Sequence, residues 1–213
     1  MKILIVAAHP DDEVIGMGAT IKKLSLKNNI HLCVVTEGAS AQYQNERMIE
    51  VRKNSCKKSA KTLGISKITF LDYPDMKLDA KPHLEINRSL ENVIDKFKPN
   101  SVYTTPYNDL NNDHKLVFDS TLIATRPTSS SVKELICYEL PGLTKHPFTP
   151  NFYYDVSKYF SHKIRAFKIY KSEVEKFPHP RSIKSLENLA IFRGVESGLS
   201  MAESFQIIRK ISS

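Results

Sequence analysis

Little in this sequence suits an extracellular, membrane-spanning or disulfide-stapled protein. Its 213 residues hold three cysteines, Cys33, Cys56 and Cys137. They are odd in number, far apart and form no Cys-x-x-Cys pair, so neither a disulfide framework nor a thiolate zinc site is expected. No apolar stretch approaches the roughly 20 residues a membrane helix requires. The run Ile3 to Ala8 after Lys2 is too short for a secretory signal and ends too polar, at His9-Pro10-Asp11-Asp12. A location in the reducing cytoplasm, without membrane insertion, is the expectation. No Gly-x-Gly-x-x-Gly follows the first apolar run, because Gly16 and Gly18 stand inside a helical pattern, and the usual dinucleotide-binding signature is therefore missing. Repeats, low-complexity tracts and Gly/Ser linkers are also missing, which predicts a single domain over residues 1–213.

The composition, 41% hydrophobic and 25% charged, is that of a globular chain able to bury a core without staples. A metal ion here would serve chemistry rather than folding. The formal net charge of +8 raises the question of a nucleic-acid partner. The basic residues are scattered, however, and pairs such as Lys22-Lys23 and Lys57-Lys58 fall on helical faces, with no recognised nucleic-acid motif. The expectation is no nucleic-acid partner, good solubility and a preference for anionic small molecules.

Strand-like and helix-like segments alternate. Lys2 to Ala8 reads as a buried parallel strand. Val14 to Lys27 reads as a helix led by acidic Asp11, Asp12 and Glu13, and His31 to Thr36 as a second strand. Glu46 to Leu63 (helix, stopped by Gly64), Lys67 to Asp72 (strand), Leu84 to Phe97 (helix), Ser101 to Thr105 (strand), Lys115 to Thr125 (helix) and Lys133 to Leu140 (strand) continue the pattern. It predicts an α/β, Rossmann-like three-layer sandwich with a mostly parallel sheet. Phe152 to Val156 is expected to add a strand, followed by three additional C-terminal helices over Ser161 to Lys176, Ser182 to Arg193 and Ser200 to Ile211. The last carries a Ser200-x-x-Glu203 capping box.

Open parallel sheets bind ligands at the carboxyl ends of their strands. Strand one empties into His9-Pro10-Asp11-Asp12-Glu13, and the strand ending at Thr105 empties into Asn108 to His114. First and fourth strands can be neighbours in such sheets, so two imidazoles and several carboxylates can face one cleft. That is the donor set of a hydrolytic zinc site, with three His or Asp/Glu ligands and a fourth position for water. Taken singly, a histidine after a strand is commonly a turn residue, and Asp-Asp before a helix commonly a cap.

Ala8-His9-Pro10-Asp11-Asp12-Glu13 after an apolar first strand resembles the (P/A)HPDDE signature of the LmbE-like, or PIG-L, N-acetylglucosaminyl deacetylases. Later segments look similar and fall in order: Arg52 with Leu63-Gly64, Phe70-Leu71-Asp72, Asp113-His114, Lys163 to Ser172, Arg193-Gly194 and Ala202 to Phe205. The resemblance implies Zn2+ on His9, Asp12 and His114, and Asp11 as general base. It implies a small-molecule N-acetylated amino sugar as substrate, losing its acetyl group to water. Arg52 looks like a family arginine near the sugar hydroxyls, the alternative being an exposed charge on helix two. Asp113 is expected either to orient an imidazole or to cap a helix, and Glu13 to support the loop or cap helix one. One departure stands out: where many members have His-Pro-Asp-His, this chain has Asn111-Asn112-Asp113-His114. Asn111 can donate a hydrogen bond to an oxyanion but cannot transfer a proton, so Asp11 is expected to carry the proton to the leaving amine. The alternatives are a nucleotide- or small-molecule-binding Rossmann-like module without catalysis, and hydrolysis of another amide, carbamoyl or ester bond. Assembly into a homo-oligomer stays open.

Overall fold

The computed structural model describes every residue except Gln44, Glu46, Leu143 and Ser213. The chain runs β1 (Lys2–Ala7), α1 (Asp12–Ser25), β2 (Asn29–Thr36), α2 (Arg47–Leu63), β3 (Lys67–Tyr73), α3 (His83–Phe97), β4 (Ser101–Thr104), α4 (Asn112–Ala124), β5 (Glu134–Tyr138), β6 (Phe152–Asp155), α5 (Phe160–Phe167), α6 (Ile183–Ser197) and β7 (Ala202–Lys210). Glu46, the expected start of the second helix, lies outside the described residues.

Seven strands form one sheet in the order β3-β2-β1-β4-β5-β7-β6. The first five pair in parallel, and β7 pairs antiparallel with β5 and with β6. Both faces of β1 are covered, which is why its sequence is apolar throughout rather than alternating. Ile3, Ile5 and Ala7 join the core under α1, α5 and α6, while Leu4, Val6 and Ala8 join the core under α3 and α4. The chain moves outward from β1 through β2 to β3, then returns to place β4 on the other side of β1. That reversal opens a crevice above the carboxyl ends of β1 and β4.

The C-terminal third corrects two expectations. Ser200 to Ile211 is not a helix: Ala202–Lys210 is a strand with a hydrogen-bonded neighbour on each side. Sheet partners on both edges outweigh local helix signals, and Phe205 is fully buried among Tyr103, Phe152 and Tyr154. The aromatic residues Tyr103, Phe152 and Tyr154 thus pack strand on strand. Ser161 to Lys176 is helical only to Phe167. Beyond it the backbone turns, which delivers the buried side chains of Tyr170 and Glu173 toward the strand-one turn.

The apparent capping box has a different use. Helix α1 breaks at Met17, whose φ of −142° and ψ of 25° are not helical. The carboxylate of Glu203 accepts from Ala19 N at 3.2 Å and Thr20 N at 2.7 Å, and pairs with buried Lys163 Nζ at 2.7 Å. Glu203 caps the second half of α1, not its own segment. Just before the break, a Cβ on Gly16 would stand 2.4 Å from Tyr138 Cδ2, so only glycine lets α1 lie this close to β5.

Candidate active site

The turn after β1 is held from several sides. His9 N donates to Asp12 Oδ2 at 2.8 Å, Asp11 N donates to Glu13 Oε2 at 3.1 Å, and Thr36 donates through both N and Oγ1 to Ala8 O. Gly38 packs beneath Pro10 with φ of 66°, and a Cβ there would meet Pro10 Cδ at 2.4 Å. Asp11 itself has φ of 138°, sparsely populated for any residue but glycine. Such strain costs about 1–3 kcal/mol and persists only where surrounding contacts impose it, most often at functional sites.

Within this frame the sequence-predicted ligands meet. His9 Nδ1 lies 3.1 Å from His114 Nε2. Asp12 sits between them, Oδ2 at 3.4 Å from His9 Nδ1 and Oδ1 at 3.4 Å from His114 Nε2. All three are buried and could hold one metal ion. The spacing fits: metal bonds of about 2.0–2.1 Å at tetrahedral angles put neighbouring donors about 3.3–3.4 Å apart. The donor chemistry fits too, since two imidazoles and a carboxylate suit a divalent ion of borderline softness.

Each imidazole is backed by carboxylate on its far side. His114 Nδ1 is 2.7 Å from Asp109 Oδ2, and His9 Nε2 is 3.2 Å from Asp75 Oδ1 and 3.4 Å from Asp113 Oδ2. Partners of this kind fix the tautomer and aim of a metal-binding histidine. Asp113 does more, accepting Met76 N at 2.8 Å. The N-cap of α4 is Asn111, whose Oδ1 accepts Asp113 N at 2.8 Å. Asp75 and Asp109 received no role from the sequence. Asp75 follows the carboxyl end of β3, and the strand-end rule that singled out the other two loops applies to it equally.

Electrostatics follow from this crowding. Burial disfavours a charged His9, yet Asp113, Asp12 and Asp75 outweigh it and raise its pKa well above the ordinary value. His114 rises to about 9 against the same burial, through Asp12 and Asp109. Asp12 is pushed up by burial but held well below the usual range by His114 and His9. Asp11 has no exposed surface, and burial lifts it to about 6 while Arg52 and Arg181 pull it down. Neither Asp11 oxygen accepts a hydrogen bond among the described residues, an unusual state for a buried carboxylate. Glu13, pushed up to about 8 by burial, braces the turn and takes the Tyr170 hydroxyl at 2.8 Å.

Arg52 is not an exposed charge on α2. It is buried, donating to Pro10 O at 2.8 Å and pairing with Asp11 at 3.3 Å and Glu173 at 2.6 Å. Glu173 and Arg181 also escaped the sequence reading, because a loop charge gives no sign in sequence that folding will bury or aim it. Two cavities open beside the ligands. One of about 180 Å³ is lined by Asp12, His114, Asp109, Asn111 and Arg181; a smaller one of about 40 Å³ by His9, Asp75, Arg52, Asn111 and Arg181.

Residues 4–125 match the family model described as GlcNAc-PI de-N-acetylase, PIG-L. The chain belongs to this family. Among PIG-L relatives it is 30% identical to the uncharacterized deacetylase YaiS of Escherichia coli over 80% of this chain and 90% of that protein. It is 27% identical to the diacetylchitobiose deacetylase of Thermococcus kodakarensis over 97% of this chain and 83% of the other. Among solved structures, the N,N'-diacetylchitobiose deacetylase of Pyrococcus horikoshii, complexed with an inhibitor, superposes with a TM-score of 0.82 at 25% identity, covering 98% of this chain and 84% of that one. No helix among the described residues of this PIG-L member is long and apolar enough to cross a membrane.

Proposed function

We propose that this chain, acting as one domain over residues 1–213 in the cytoplasm, hydrolyses the acetamide of an N-acetylglucosamine-type amino sugar with a zinc ion on His9, Asp12 and His114. The observation that carries this reading is the meeting of those three donors, with distances of 3.1, 3.4 and 3.4 Å, beside the buried carboxylate of Asp11, which accepts no hydrogen bond among the described residues. Family membership and the deacetylase activity of its relatives support the reaction class. A small-molecule substrate suits cavities of this size, and no nucleic-acid partner is invoked.

When bound there, zinc supplies Lewis acidity, lowering the pKa of water to about 7 and drawing charge from a carbonyl oxygen. The protein supplies the proton chemistry. Asp11 takes a proton from the attacking water and hands it to the nitrogen as the amide C–N bond breaks, leaving acetate and a free amine. Asn111, whose Oδ1 is held by the α4 cap, keeps its amide N–H groups for the substrate. Asp75, Asp113 and Asp109 hold the two imidazoles in register.

The test is acetate release from N-acetylglucosamine and diacetylchitobiose, with chelator, after zinc is restored, and in Asp11→Asn. Loss of release on chelation, recovery with zinc, and a fall of about 10²–10⁴-fold in the variant are expected, the usual span for a general acid-base group. Release indifferent to chelation would overturn the metal reading. Zinc-loaded Asp11→Asn above a hundredth of wild-type turnover would overturn the role of Asp11.

A further inference from the structure

Asn111 lines both cavities beside the metal-ligand group and carries no charge. Arg181 is a cation within reach of the same space. It lines both cavities as well and, among the described residues, is the only one besides Asn111 common to the two walls. Its side chain is 35% exposed, in contrast to Arg52, whose side chain is 3% exposed.

The position of Arg181 is fixed rather than fluid. Its Nη1 pairs with Glu173 Oε2 at 2.7 Å, and the other Glu173 oxygen takes Arg52 Nη1 at 2.6 Å. Arg52 in turn holds Pro10 O and Asp11. The backbone of Arg181 is tied as well, its N donating to His179 Nδ1 at 3.1 Å and its O accepting Glu175 N at 3.3 Å. One buried carboxylate therefore locks the α5–α6 loop to the strand-one turn. Only Nη1 of Arg181 has a side-chain partner among the described residues, so Nη2 and Nε keep their hydrogens for a ligand.

We propose that Arg181 donates a hydrogen bond to the acyl oxygen of the substrate and stabilises the negative charge that develops on it. The proposal rests on the deacetylase reading above. As water adds to the acyl carbon, the carbonyl π pair moves onto oxygen; Arg181 donates without giving up its proton, and the pair returns as the C–N bond breaks. A guanidinium held in advance by Glu173 meets that charge with no reorganisation, the condition under which such donors act most strongly.

The test compares Arg181→Ala and Arg181→Lys with wild type, each zinc-loaded and matched for metal content. Loss of one preorganised oxyanion donor lowers kcat by about 10²–10³-fold. The expected result for Arg181→Ala is a loss of that size in kcat, with KM little changed and partial recovery in millimolar guanidinium chloride. Arg181→Lys, which keeps the charge without the fork, should fall between the two, and it stands in for the alanine variant should that one fail to fold. A rise in KM alone, or unchanged kcat, would overturn the proposal. A second arm needs no turnover: acetate, whose oxygens imitate the developing charge, should bind the zinc-loaded wild type more tightly than either variant by calorimetric titration. Equal acetate affinity would also count against Arg181. Absence of acetate release by the wild type itself would fault the deacetylase reading, and the titration would still judge Arg181.

Discussion

The Glu203–Lys163 pair offers a test of how the fold holds its first helix. Both residues are 4% exposed, and the Glu203 carboxylate serves three donors at once: Lys163 Nζ, Ala19 N and Thr20 N. Glu203→Gln keeps the volume and one acceptor oxygen but removes the charge, leaving an ammonium buried without its partner. Breaking a buried pair from one side costs about 3–5 kcal/mol, a large share of the 5–15 kcal/mol that typically separates folded from unfolded states. For a chain of this size each kcal/mol lowers Tm by about 2–4 °C, so a fall of roughly 6–20 °C is expected. Lys163→Met should cost less, because two backbone amides still satisfy the carboxylate. The double variant Lys163→Met/Glu203→Gln should be more stable than Glu203→Gln alone, since no unpaired charge remains. Urea unfolding followed by circular dichroism measures all four proteins. A Glu203→Gln loss under about 1 kcal/mol, or a double variant no better than that single one, would refute this account.

Asp75→Asn weakens the support behind His9, and zinc affinity measured by competition with a chromogenic chelator should fall about 10–100-fold, as is typical when a partner behind a ligand is lost. Gly38→Ala must adopt a φ of 66° and push Pro10 aside; unfolding should show a loss of at least about 1–2 kcal/mol from the backbone alone. His31, whose pKa burial lowers to about 4 with help from Lys67, is held neutral in the folded protein. The unfolded chain binds its proton near the ordinary value of 6.5, so this residue's contribution is present above that value and lost as pH falls toward 4. Urea midpoints at pH 7 and pH 4.5 should accordingly drop further for wild type than for His31→Gln.

Much of the site was legible because it is local. His9, Asp11 and Asp12 follow one apolar strand within four positions, and His114 opens a helix after another strand, so pattern and spacing led to both. The neighbourhood of β1 and β4 followed from the general habit of doubly wound sheets. Asp75 was within reach of the same strand-end rule, standing just past β3, whereas Glu173 and Arg181 were not legible, because each acts through a long-range contact and carries no pattern of its own. Burial of Arg52 was hidden likewise, since a charge on an amphipathic helix gives no sign that Pro10 and Glu173 will enclose it. At Ser200 to Ile211 the apparent capping box pointed to a helix, and two waiting strand edges decided for a strand.

The late arrival of β7 has a consequence for how the molecule is made. This strand threads between β5 and β6 although both precede it in the chain, and its Glu203 reaches back 183 residues to the amide of Thr20. At synthesis rates of 5–20 residues per second, roughly 10–40 s separate the emergence of those two groups from the ribosome. For that interval the helix bearing Asp12 lacks its brace, and from the emergence of β5 until β7 follows it, roughly 3–13 s at the same rates, β5 shows a raw edge, the kind of surface on which nascent chains adhere to one another. Shielding of that edge by a chaperone until β7 arrives should therefore raise the yield of active protein.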